Sequence, residues 1–379
     1  MSSVTSPMTS QNTSQMVLPA GCEEKCRGCR HRGWSVQESE SQKQKFLQSQ
    51  LNEWSEQFEP IKGPEPAQRW GYRSKTCFHT LWKEDRWAFG LLARDELIEI
   101  PNCPVHVPWI SSLVGLLSVS LPSYETFPLT HFVVAGTLIT FVLKTKPSEV
   151  EIPKIDWASF GITGVFFNFN PAAGHRVFAA RGWKLIWGKP FGVDLTSLHP
   201  FHYGPDSFQQ LIPSLHQAAL QRVKQFFNPQ PEDGVIDLYS GVGYSMHQWR
   251  QSGCSFIGVE LGGSAWESAN KNVSPESCLR GRASERLPQL DLWIEKTQPR
   301  SLSVYVNPPR IGLESEVVNW IGSSAKPDRV AYLSCSAGTL SRDLKSLCSR
   351  GFEVQRMIPY DFFPQTQHVE TLVLLKKFH

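Results

Sequence analysis

VIDLYSGVG (235–243) is the stretch on which the fold turns. It is an apolar strand ending in Asp237, followed by a turn that holds Gly241 and Gly243. Glycines at such a turn let the backbone approach a ligand closely, and the helix that follows presents its N-terminus. SFIGVE (255–260) is a second strand ending in an acid. Glu260 lies 23 residues after Asp237, the spacing of a carboxylate that holds ribose hydroxyls. A tight structural turn would account for the glycines alone. With Glu260 in register, a nucleoside cofactor is the better reading.

Downstream the same pattern continues. SLSVYV (301–306) is a third strand, and it ends in NPPR (307–310). Adjacent prolines fix the backbone at the carboxyl edge of the sheet, where open α/β folds bind ligands. A rigid loop with an exposed arginine would explain Arg310 but not a polar Asn307 at the strand tip. RVAYLS (329–334) is a fourth strand with Cys335 at its carboxyl end, and the helix GTLSRDLKSL begins within a few residues. A thiol there is expected to have a lowered pKa. Cys254, Cys278 and Cys348 have no such company and read as small buried hydrophobes. In DFFPQTQHVETLVLL (361–375), Glu370 follows His368 by two residues, so strand alternation places both on one face. A thiol, a carboxylate and a cofactor on one sheet are the parts needed to methylate a carbon of a pyrimidine.

Upstream the pattern differs. Residues 1–20 are Ser/Thr-rich, read as a disordered tail, and carry no secretory signal. Residues 21–66 hold GCEEKCRGCRHRG, with three cysteines among basic side chains, then SVQESESQKQKFLQSQLNEW, a solvated amphipathic helix. Residues 67–205 are short β-like runs broken by Gly and Pro, with one helix expected in 106–121. From 206 to 379, SFQQLIPSLHQAALQRVKQFF reads as a helix leading into alternating strands and helices, an open and mostly parallel sheet.

The composition is that of an ordinary globular chain of 379 residues, with 40% hydrophobic and 19% charged residues. A net charge of +3 does not announce a nucleic-acid binder, although a neutral whole can carry a basic face. No apolar stretch is long enough to span a bilayer. Nine cysteines without a signal peptide favour a reducing cytoplasm and metal-bound or catalytic thiols over disulfides. Three cysteines within eight residues are a poor match to unliganded thiols. Structural zinc fits a four-cysteine set. The C-x3-C-x2-C spacing is also that of radical S-adenosylmethionine enzymes, but those need a βα barrel after the motif.

NPPRIG, LSCSAGTLSRDL and FPQTQHVE, in that order and spacing, resemble the RNA uracil-5 methyltransferase family. Those S-adenosylmethionine-dependent enzymes make 5-methyluridine in tRNA and 23S rRNA. The resemblance covers roughly residues 21–379. It implies a C-terminal Rossmann-like methyltransferase sheet, a β-rich middle domain and an N-terminal iron–sulfur segment. It makes Cys335 the nucleophile adding to C6 of uracil and Glu370 the base that removes the C5 proton. Gln210, Tyr239, Gly241, Glu260 and Asn307 fall at cofactor-site positions. Cys22, Cys26, Cys29 and Cys103 resemble the family's [4Fe–4S] ligand set, with Cys77 as the competing fourth ligand. The family has Asp where this chain has Asn307, Asn-Pro where it has Ser336 and Ala337, and often an acid where it has Arg282. Only 21 residues precede Cys22, too few for the β-barrel RNA-binding domain of many members. The expected protein is thus a short-form, monomeric, cytoplasmic enzyme acting on structured RNA, rRNA rather than tRNA. The rival is a non-catalytic RNA-binding protein with a decayed cofactor site.

Overall fold

The computed structural model describes residues 18–174, 176–196 and 199–378. The tail expected over 1–20 lies outside the described residues as far as residue 17. Helix α1 (Val36–Gln50) opens at a capping box: Ser35 accepts from the Glu38 N–H, and the Glu38 carboxylate accepts from the Ser35 N–H. One face is not solvated as expected. Lys43 and Leu47 are buried on it, and Leu51 and Trp54 follow in the next turns. All three apolar residues join the core of the C-terminal sheet, each contributing about 2 kcal/mol by leaving water.

Strands β1 (Lys75–Lys83), β2 (Arg86–Ala93) and β3 (Glu96–Glu99) form an antiparallel meander. Its first turn has two residues, Glu84 and Asp85, both with positive φ, as the right-handed twist of a tight hairpin requires. Helix α2 (Pro108–Ser120) starts on a proline that needs no N–H partner. Its buried Ile110, Leu113, Val114 and Leu117 pack into the same core as the sheet. Strands β4 (Leu129–Ala135), β5 (Leu138–Leu143), β6 (Gly164–Phe169) and β7 (Trp183–Gly188) complete seven strands in the order β3-β2-β1-β4-β5-β6-β7. Only β5 and β6 run parallel. A short pair, β8 (Gly192–Asp194) and β9 (Phe201–Tyr203), precedes the second half.

Helix α3 covers Pro213–Phe227, six residues shorter at its start than the sequence pattern implied. Pro213 sits at the first helical turn, and Ile212 before it lies outside the helical region, as a residue preceding proline prefers. Residues 207–212 are therefore coil, which leaves Gln210 free to enter a cavity. Then follow β10 (Gly234–Leu238), α4 (Tyr244–Gln251), β11 (Ser255–Glu260), α5 (Gly263–Asn272), β12 (Cys278–Arg280), α6 (Leu287–Thr297) and β13 (Leu302–Val306). The chain closes with α7 (Ser315–Trp320), β14 (Arg329–Ser334), α8 (Ala337–Cys348), β15 (Phe352–Tyr360) and β16 (Glu370–Lys377). The sheet order is β12-β11-β10-β13-β14-β16-β15. Strands β10 to β14 are parallel, and β16 is antiparallel to both neighbours. The three-residue β12 escaped the sequence reading because three residues show no periodicity.

Ile236 and Leu238 enter one core and Val235 the other, so helices cover both faces. The outer edge of β15 is covered as well: Glu59 and Lys62 donate N–H bonds to the Met357 and Pro359 carbonyls. Among the described residues, no helix is long and apolar enough to cross a membrane.

Candidate active site

A cavity of about 680 Å³ opens among the carboxyl ends of β10, β11, β13 and β14. Chain order reverses between β10 and β13, and that is where open α/β sheets bind ligands. Gln210, Tyr239, Gly241, Glu260, Asn307, Cys335 and Glu370 all line it.

The cofactor half is built on the turn after β10. Tyr239 and Gly241 both have positive φ, near 60°, a conformation natural to glycine and strained for tyrosine. A Cβ on Gly241 would meet no atom within 4 Å, so the space above it belongs to the cavity. The Gly241 N–H donates to Glu260 Oε2 at 2.9 Å, and the Gly262 N–H donates to Oε1 at 2.6 Å. Each carboxylate oxygen keeps a lone pair for a hydroxyl. Beneath the turn, fully buried Asp237 accepts from the Trp249 indole at 2.7 Å, and burial pushes its carboxyl up to about 7. Gln210 Oε1 is buried and meets no partner among the described residues. A glycine cradle, a braced carboxylate and an orphaned amide oxygen fit a nucleoside bearing an amino-acid tail.

The reactive half lies one strand further on. Cys335 is half-buried at the tip of β14, and Glu370 is buried at the start of β16. Gln210 Nε2 donates to Glu370 Oε2 at 3.5 Å. Desolvation raises the Glu370 carboxyl to about 7, against pulls downward from Gln210 and Arg310. The Cys335 thiol is pushed up, not down: burial raises it first and the Glu370 charge second, while Arg310 lowers it. Arg310 and a backbone hydrogen bond at the strand tip do not overcome those two effects, so the lowered value expected from the sequence is not found. His368 precedes β16 in coil, so it shares the cavity with Glu370 through the loop and not by strand alternation. Arg310, read from the sequence as an exposed loop residue, also lines the cavity. The two prolines before it were the signal that its backbone is placed.

The profile of the tRNA (Uracil-5-)-methyltransferase family matches residues 276–378. The 23S rRNA (uracil(1939)-C(5))-methyltransferase RlmD of Marinomonas sp. is 27% identical over 371 residues, 93% of this chain and 79% of that one. An uncharacterized RNA methyltransferase of Thermosynechococcus vestitus is 26% identical over 396 residues, 96% of this chain and 85% of that one. Residues 276–378 carry the domain of the tRNA (Uracil-5-)-methyltransferase family, and the chain as a whole is similar to RNA methyltransferases. Another relative, an uncharacterized RNA methyltransferase of Lactobacillus johnsonii, is 30% identical over 243 residues, and the chain spans 52% of its length. The tRNA (uracil-54, C5)-methyltransferase of Pyrococcus abyssi, solved with S-adenosyl-L-homocysteine, shares the fold. Its TM-score is 0.68 at 20% identity, over 92% of this chain and 86% of that one.

Asn307 and Arg282 both line the cavity. Arg282 is exposed, and its guanidinium stands 3.8 Å from the Glu285 carboxylate. Away from the cavity, Cys22, Cys26, Cys29 and Cys103 line one small pocket together with Arg32 and Trp70. Cys77 is not part of it and lies in β1 opposite Val133. The Gly28 N–H points to Cys26 Sγ at 3.4 Å and the Arg32 guanidinium to Cys22 Sγ at 3.7 Å. Among the described residues, no group of three or more His, Cys, Asp or Glu side chains converges as a metal site.

Proposed function

We propose that the protein methylates C5 of a uridine in structured RNA, in 23S rRNA, through a covalent bond between Cys335 and C6. The observation that carries the reading is the meeting of Cys335, Glu370 and Arg310 in the cavity that also holds the glycine turn and Glu260. C5 of uracil is a poor nucleophile until a thiolate adds at C6 and makes an enolate. Arg310 favours the charged forms of both Cys335 and Glu370, so it supports the thiolate. Tyr239, Gly241, Glu260, Asn307 and Gln210 would hold S-adenosylmethionine, whose electrophilic methyl group would pass to C5 of the enolate, with S-adenosylhomocysteine as the leaving group. After transfer, C5 bears both the methyl and its proton. Glu370 takes that proton, the C5–C6 double bond re-forms, and Cys335 leaves as thiolate. The uridine must be turned out of its stack to reach the cavity. The RlmD relative favours rRNA as the substrate.

The same reading assigns Cys22, Cys26, Cys29 and Cys103 to one [4Fe–4S] cluster. Its support is their common pocket and the N–H donors aimed at sulfur.

Incubation with RNA followed by a denaturing gel tests the mechanism. Glu370→Gln should accumulate an RNA–protein adduct on ordinary uridine, and Cys335→Ala should form none even on 5-fluorouridine RNA. Full turnover by Cys335→Ala would remove the covalent route. Nucleoside mass spectrometry of wild-type and deletion strains tests the substrate: 5-methyluridine should fall in 23S rRNA, and a loss confined to tRNA would overturn that assignment.

A further inference from the structure

We propose that Ile311 is a wedge that fills the gap left in the RNA stack when the target uridine turns into the cavity. The inference rests on the uridine-methylation reading. Ile311 lines the mouth of the cavity yet is 70% exposed. A lone exposed aliphatic is ordinary, but this one stands on a backbone fixed at every neighbouring residue. Pro308 and Pro309 precede it. The Gly312 N–H donates to the Pro309 carbonyl at 2.9 Å. Thr339 Oγ1 donates to the Arg310 carbonyl at 3.1 Å, and Arg342 to the Ile311 carbonyl at 3.0 Å. The Leu313 N–H donates to buried Asp343 at 2.8 Å. A rigid loop therefore presents an apolar side chain to solvent, where burial would gain free energy and no described residue buries it. Such side chains are the ones that enter between bases and hold them unstacked.

Position singles it out from the other exposed apolar residues of the rim. Leu261, 59% exposed, directly follows Glu260 and stands on the cofactor side. Phe208 carries the Lys75 ammonium over its ring, 5.9 Å from the centroid. Ile311 follows β13, the strand beside β14, whose tip bears Cys335. The neighbouring Arg310 acts on Cys335 and Glu370, so the loop carries the target's surroundings on one residue and a gap-filler on the next.

The test compares two RNAs: a folded 23S rRNA transcript, and a short single-stranded oligonucleotide with the sequence around the methylated uridine. Ile311→Ala should lower kcat/KM on the folded transcript by about 10- to 100-fold, as expected when help with unstacking one base is lost. On the oligonucleotide, whose base is already free, the loss should stay under about threefold. Ile311→Leu should restore the folded activity, and S-adenosylmethionine affinity should not change in either variant. Equal losses on both RNAs, or no loss on the folded one, would overturn the wedge while leaving uridine methylation intact. If the wild type methylates neither RNA, uridine methylation itself fails and the wedge falls with it.

Discussion

At Glu370 two demands conflict. On the proposed mechanism the carboxylate is ionised to take a proton, yet its burial raises its pKa from 4.5 to about 7. A base poised near the working pH is what proton abstraction requires. In a single-turnover assay the methylation rate should climb with pH through about 7 and keep climbing above it, because the Cys335 thiol, raised by burial, must ionise as well. Arg310 lowers the pKa of both Glu370 and Cys335, so Arg310→Met should move the rise to higher pH: a large loss near neutrality, partly recovered above pH 8. An equal loss at every pH would mean that Arg310 only positions RNA. Stability moves the other way. The raised pKa means that the fold prefers the protonated carboxyl, so the wild type loses stability as pH rises from 4.5 to 7. Glu370→Gln cannot titrate. It should match wild type near pH 4 and be more stable by roughly 2–3 kcal/mol at pH 8. Denaturant melts at the two pH values decide this. The places of Glu260, Cys335 and Glu370 at the cavity could be read from sequence because each stands at the end of a strand. The thiol's raised pKa could not, because it depends on burial and on a carboxylate 35 residues away.

Among the elements, α1 departs furthest from its sequence pattern. Its polar composition reads as a solvated helix. Yet Lys43 and Asp361 have fully buried side chains and pair at 2.5 Å, 318 positions apart. Arg69 adds contacts to Asp361 and Glu40, both at 3.1 Å. No local pattern could show that pairing, since the lysine looks like any solvent-facing lysine until its partner arrives. By contrast β11 and β14 matched their expected bounds, because long apolar runs at a sheet centre leave little choice. The network has a use beyond packing. Lys43 also donates to the Phe363 carbonyl at 3.2 Å, and Tyr72 to the Pro364 carbonyl at 3.0 Å. They clamp the loop that delivers His368 and Glu370. Removing one partner of a buried pair costs about 3–5 kcal/mol. Lys43→Met should fall at the low end, about 3 kcal/mol, because Arg69 still faces Asp361. Its kcat should drop while S-adenosylmethionine affinity holds, since the cofactor residues stand on other strands. Urea melts and calorimetry check the two halves, and an unchanged kcat would show that the loop holds itself.

At the scale of the whole molecule, the four cysteines stand where the two large sheets meet. Cys103 packs against the cores of both, Cys29 against one and Cys26 against the other. The same segment reaches the catalytic loop: the His31 N–H donates to the Gln365 carbonyl at 2.9 Å, and Arg30 to Gln367 at 3.1 Å. Methyl transfer needs no electron, so a cluster here would act by holding these parts together. Thiolate ligation couples metal binding to local folding. Protein purified without oxygen should be brown and carry about four irons per chain. Turnover should not need a reductant. Cys26→Ser should lose the iron and melt at lower temperature. Its kcat should also fall, because residues 30–31 would no longer hold the loop before Glu370, while cofactor affinity should hold. Zinc in place of iron would remove the cluster but keep the coupling. Full kcat in the iron-free variant would show that the segment holds the loop without any metal. Activity that depends on a reductant and releases 5′-deoxyadenosine would replace the Cys335 mechanism with radical chemistry.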